Sequence, residues 1–135
     1  MFGPGVRNAP GALIFPRTAA GVGTIAPGAA GEFQDFVIPN RGVSQVTVRW
    51  FSDQPGVARL YRRIPGAVIQ ASGTSGFRLA MPEVTLTAAS TEEELNRLDV
   101  PVMVGDYLRF IFTVDGGAGA PATVSADVAY KRGEG

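Results

Sequence analysis

The sequence has no histidine and no cysteine among its 135 residues. Without them the commonest general base, the commonest nucleophilic thiol and the best transition-metal ligands are missing, which excludes most familiar active sites. Disulfides and thiolate metal sites are excluded as well, so redox surroundings do not enter the fold. Charge of one sign is also lacking: 12 basic residues balance 12 acidic ones. The phosphate-tracking excess of a nucleic-acid-binding protein is therefore absent, and no nucleic-acid partner is expected. No apolar run approaches the roughly 20 residues of a membrane span, and no basic segment followed by an unbroken apolar one opens the chain. The expectation is a domain neither membrane-embedded nor exported by a signal of that kind. Lysine is nearly absent too. Apart from Lys131 every basic residue is Arg, a bias that fits a GC-rich genome and also favours planar, bidentate pairing at protein interfaces.

What is abundant is glycine, 18 residues, and proline, 10 residues. Both interrupt helices. Residues 1–31 contain 18 Gly, Ala or Pro, two Arg and no acidic residue. This segment reads as an extended arm that adds no periodic face to a core and is dispensable for folding. Its short apolar islands, at 13–15 and 22–25, are too brief to fold alone and look like anchors for another surface, with Leu13, Ile14 and Phe15 as the candidate partner-binding residues.

Residues 32–135 read as one domain of short alternating runs. Residues 33–38 form the first candidate strand. Val46, Val48 and Trp50 then share one face of a strand at 43–51, opposite Thr47, Arg49 and Phe51. A Ser-Asp-Gln-Pro-Gly turn at 52–56 leads to 57–63, expected to return as the partner strand of a hairpin. There Ala58 and Leu60 face inward, while Arg59, Tyr61 and Arg63 share a wet or partner-facing side. Residues 67–71, 77–81 and 83–88 follow as further short runs. Thr91 and Glu94 stand at capping-box spacing, which predicts one or two helical turns ending near Leu98. Val100, Val102 and Val104 alternate, Gly105-Asp106 turns, and Leu108, Phe110, Phe112 and Val114 face one way. Gly-rich residues 115–121 read as a hairpin connection to a last strand carrying Val124, Ala126, Val128 and Tyr130 on one face. Eight or nine strands suit an all-β, antiparallel two-sheet sandwich of jelly-roll type.

The remaining polar constellations have simpler explanations than chemistry. Asp53 and Asp106 each sit in a turn where Asp bonds the local backbone, which argues against a glycosidase pair. Glu92, Glu93 and Glu94 lack the spacing of a calcium loop. The Gly-rich stretch at 116–119 lacks the Lys-Ser or Lys-Thr and the helix of a phosphate loop. No cofactor, no metal and no enzymatic activity are expected.

Two stretches, 46–61 with its Ser-Asp-Gln-Pro-Gly turn and 104–117 with its Tyr-Leu-Arg-Phe-Ile-Phe strand ending in Asp-Gly-Gly, resemble small β-sandwich structural proteins of tailed bacteriophage virions. The resemblance spans residues 43–131. It departs at Val114-Asp115, where Thr-Asn-Gly is more typical, and in the long apolar arm. It implies a capsid decoration or cement protein, a homotrimer in the virion after assembly in the host cytoplasm. Its arm and one sandwich face, bearing Arg59, Tyr61 and Arg63, would bind major capsid or other virion subunits. The alternatives are a tail, neck or fibre component, or a carbohydrate- or receptor-binding module using Phe51, Tyr61 or Tyr107.

Overall fold

The computed structural model describes residues 7–8, 12–14, 24–33, 35–38, 42–87 and 96–132. Strands occur at β1 (Arg7–Asn8), β2 (Ala12–Ile14), β3 (Thr24–Ile25), β4 (Ala30–Glu32), β5 (Phe36–Val37) and β6 (Val43–Ser52). They continue with β7 (Gly56–Arg63), β8 (Phe77–Leu79), β9 (Val84–Leu86), β10 (Asn96–Pro101), β11 (Tyr107–Val114) and β12 (Ala122–Arg132).

Period-2 alternation builds two antiparallel sheets from these strands. In the first, β12 is flanked on one side by β1, β2 and β3 and on the other by β6, which pairs with β10. In the second, β4 and β5 lie along one side of β11, followed by β7, which pairs with β8 and β9. Val46, Val48 and Trp50 of β6 meet Leu60, Phe110 and Phe112 of the second sheet in a core where all six are fully buried. The Trp50 ring lies 5.1 Å from Phe112 and 6.4 Å from Phe110, and Phe33 lies 5.1 Å from Phe110. Tilted aromatic contacts of this kind add to the area they bury. The result is the expected all-β, jelly-roll-like sandwich.

Two expected connections and one expected strand differ. Residues 57–63 do not return beside β6, because β7 belongs to the opposite sheet and pairs with β11. The turn at 52–55 is an arch between sheets. Asp53 fastens it to the start of β12, accepting from Thr123 N at 2.8 Å and donating its own N–H to Thr123 O at 3.3 Å. The Gly-rich stretch after Val114 is likewise an arch, since β11 and β12 lie in different sheets. Residues 67–71 form loop, not strand. The expected helix falls mostly on residues outside those described, but Leu98, at its expected end, is in β10 opposite Val48, where inward alternation with Val100 buries both.

The boundary drawn at residue 31 passes through β4. Ile25 is 3% exposed and belongs to the core, and Ala30, Gly31 and Glu32 pair with β11. Gly31 leaves room for the Ile25 side chain, against which a Cβ there would press. The described residues 7–8, 12–14 and 24–25 pair antiparallel with β12, with Arg7 opposite Arg132, Leu13 opposite Asp127 and Thr24 opposite Thr123. Residues 24–31 are thus integral to the sandwich.

Replacing Phe110 by Ala is expected to cost about 3–5 kcal/mol in chemical denaturation, the usual range for emptying a buried aromatic site. A loss below about 1 kcal/mol would mean that the inward face of β11 is misassigned.

Candidate binding face

The outward residues of the second sheet fall into cross-strand rows. Arg109 stands opposite Tyr61, Ile111 opposite Arg59, and Thr113 opposite Val57. Leu79 extends the Tyr61 row, and Thr85 extends the Val57 row. A charged residue in the middle of the apolar strand β11 requires partners, because an uncompensated buried guanidinium is costly. Arg109 is 1% exposed. Its Nε donates to Asp35 Oδ1 at 2.8 Å and its Nη2 to Asp35 Oδ2 at 2.9 Å. The bidentate bond raises the Arg109 pKa above its ordinary value, outweighing the opposite effect of burial, so the group stays charged. Tyr107 OH also donates to Asp35 Oδ2, and the guanidinium carbon sits 4.5 Å from the Phe77 ring centroid.

The remaining Arg109 donors hold a loop over this half of the sheet. Nη1 donates to Gly73 O at 2.7 Å and Nη2 to Gln70 O at 3.0 Å. Glu32 accepts Gly73 N at 3.0 Å. The loop, residues 64–76, closes where Ile64 N donates to Gly76 O at 2.9 Å. Gly76 has φ +84°, and a Cβ there would lie 2.6 Å from Val68 O, so only glycine fits. Phe77 and Tyr107, whose rings lie 6.0 Å apart, form part of the same cluster.

The other half of the face is open. There Arg59 Nε donates to Glu83 Oε1 at 2.9 Å, and Arg59 Nη1 reaches Thr113 Oγ1 at 3.5 Å. Half-buried Tyr61 lies two residues along β7 on the same side, next to Leu79, which is 44% exposed. Beyond Arg59, Val57, Thr85, Thr87, Thr113 and Asp115 contribute to a cleft of about 540 Å³. An aromatic side chain, an apolar neighbour, a paired donor and acceptor and several hydroxyls therefore share one surface.

Arg59 and Tyr61 lie on this open half, as the alternation of β7 predicts. Arg63 shares their side but is drawn to the base of the loop, donating to Ala67 O from Nε at 2.9 Å and Nη2 at 2.7 Å. Leu13 and Ile14 lie in β2, which joins the other sheet, and Phe15 lies outside the described residues, as do Glu92, Glu93 and Glu94. Tyr107 is tied to Asp35, whereas Phe51 faces out from the first sheet opposite Ser125. Asp106 serves its own turn, accepting Met103 N at 2.9 Å, while Asp53 serves the arch. Among the described residues no group of three or more Asp or Glu is placed to hold a metal ion. Among the described residues no helix is long and apolar enough to cross a membrane.

Alternation did not identify Glu83, Thr85, Thr113 or the Arg109–Asp35 pair. The one available signal was Arg109 itself, a charge between Leu108 and Phe110. Its partner, 74 residues away, has no sequence signature.

No protein-family model and no curated protein matches the sequence. Solved structures similar to it include the carbohydrate-binding module TmCBM61 in complex with beta-1,4-galactotriose, at 14% identity and TM-score 0.45, covering 96% of this chain and 88% of that one. A family 6 carbohydrate-binding module is similar at 11% identity and TM-score 0.37, covering 94% and 86%. A glycoside hydrolase family 43 arabinoxylan arabinofuranohydrolase from Bacillus subtilis is similar at 13% identity and TM-score 0.41 over 82% of this chain. The chain spans only 20% of that enzyme's length. At these TM-scores the overlap carries no conclusion about ligand or activity.

Asp35→Ala, which strands the Arg109 guanidinium, is expected to cost about 3–5 kcal/mol, as for other buried pairs broken on one side. Amide hydrogen exchange in residues 70–73 should quicken in the same variant. Unchanged exchange there would show that the pair does not hold the loop.

Proposed function

We propose that this protein is a non-catalytic binding module that recognises a saccharide on the open half of the second sheet. The observation that carries this reading is the Arg59–Glu83 pair beside Tyr61. A sugar hydroxyl is donor and acceptor at once, so a fixed donor next to a fixed acceptor satisfies it in both directions. A phenol ring offers a flat apolar surface to the C–H face of a pyranose while its hydroxyl stays available for bonding. Sites of this type combine apolar surface with a few placed polar groups, and the Thr85 and Thr113 hydroxyls extend the polar set toward the cleft.

A second reading has its own support. β12 is followed along its free edge by β1, β2 and β3, and main-chain pairing of that kind also joins an extended segment to a neighbouring copy or another subunit. This favours a virion structural role, as a trimeric decoration or cement protein bound to major capsid subunits or as a tail, neck or fibre component. Co-purification with particles and a trimeric mass in solution would support it, and a monomer absent from particles would exclude it.

A glycan array probed with the purified chain is expected to return saturable hits on neutral oligosaccharides. Tyr61→Ala should weaken the strongest hit about tenfold or more, the order of one lost ring contact with its hydrogen bond, and leave the thermal midpoint nearly unchanged. An array without saturable hits, or a Tyr61→Ala variant that binds as well as the parent, would overturn the saccharide reading.

A further inference from the structure

Among the arginines whose side chains are described, the ion pairs leave two over, and both line one cleft. Arg49 pairs with Asp127, Arg59 with Glu83, Arg62 with Asp106, Arg97 with Asp99 and Arg109 with Asp35. Arg63 and Arg78 have no carboxylate partner among the described residues. They lie with Arg62, Asp106, Pro101 and Met103 around a cleft of about 390 Å³. It opens where the ends of β7 and β8 meet the turn between β10 and β11, at the rim of the sandwich and separate from the Tyr61 surface.

Three arginines and one aspartate line this cleft, a local excess of positive charge in a chain whose net charge is zero. Arg62 and Arg78 are direct cross-strand neighbours, a placement that costs stability unless something neutralises it. Asp106 does so incompletely. Its Oδ2 accepts Met103 N at 2.9 Å and stands 3.6 Å from Arg62 Nε. That nitrogen is buried and has no hydrogen-bond partner, while Arg62 Nη2 is used by Pro101 O. Arg63 spends Nε and Nη2 on Ala67 O and keeps Nη1. Pro101 and Met103, the latter 74% exposed, add apolar surface beside these donors.

We infer that this rim cleft binds the carboxylate of a uronic acid residue. Arg63 and Arg78 grip the carboxylate, since a guanidinium fork matches its two oxygens. Pro101 and Met103 pack against the C–H face of the ring, and Asp106 accepts from a ring hydroxyl. The volume, at the lower end for ligand sites, suits a single ring. The inference extends the saccharide reading to a second place but stands on its own arginines.

The test is an NMR and calorimetric titration of the full chain with D-glucuronate, with D-glucose and inorganic phosphate as comparisons. Glucuronate is expected to saturate, to shift the Arg63, Arg78 and Met103 amides, and to weaken as salt rises. The double variant Arg63→Ala/Arg78→Ala should weaken it about tenfold or more. Arg63→Lys/Arg78→Lys, which keeps the charge and removes the fork, should fall between. Arg63 also holds Ala67 O, so the exposed Arg78 is replaced alone as well: Arg78→Ala should weaken binding with an unchanged thermal midpoint. Absent glucuronate binding, equal response to glucose, tighter binding of phosphate, or an unaffected double variant would each overturn the inference. Tyr61→Ala separates the two sites: glucuronate binding that survives it while neutral oligosaccharides fail to bind the parent sinks only the outer-face reading, and the converse sinks only this one.

Discussion

The surface of this molecule depends on one buried ion pair. A guanidinium in the middle of β11 would be untenable alone, and Asp35 makes it tolerable by accepting two of its donors. Once neutralised, Arg109 has donors left for the carbonyls of Gln70 and Gly73, and these draw the 64–76 loop onto the sheet. The loop covers one half of the outer face and leaves the Arg59, Tyr61 and Glu83 half open. The open half is therefore a consequence of where the cover stops, and the cover stops where Arg109 can no longer reach.

A second constraint comes from the arches. The chain changes sheet between β6 and β7, between β10 and β11 and between β11 and β12, so strands adjacent in sequence face each other across the core. This sets Trp50 against Phe110 and Phe112. It also brings the β10–β11 turn, with Met103 and Asp106, next to the ends of β7 and β8, where Arg62 and Arg78 are neighbours. The rim cleft exists because an arch joins two sheets there, where a hairpin within one sheet would have kept those residues apart.

Much of the sandwich was legible in the sequence because period-2 alternation reports which side of a strand is buried. Val46, Val48 and Trp50, and Leu108, Phe110, Phe112 and Val114, carry that signal. Alternation is silent on which strand pairs with which, so the turn at 52–56 read as a hairpin although it is an arch. The Gly-rich segment misled in another way: Ile25 is a core residue, but a two-residue strand shows no period. Thr91 and Glu94, at helix-cap spacing, lie outside the described residues, whereas Leu98, at the expected helix end, is strand because it and Val100 have inward partners in Val48 and Val46. On the candidate face, Arg59 and Tyr61 were visible as the polar side of β7. Glu83 and Asp35 were not, because pairing between distant residues leaves no local pattern.

The division of the outer face into a covered and an open half can be mapped directly. Backbone amide shifts recorded while the protein is titrated with the neutral oligosaccharide that the array ranks first should move in β7, β9 and the Thr113 end of β11, and stay still in residues 70–73 and in β6 and β12. Shifts concentrated on the first sheet, or spread through the 64–76 loop with β7 unaffected, would contradict the account.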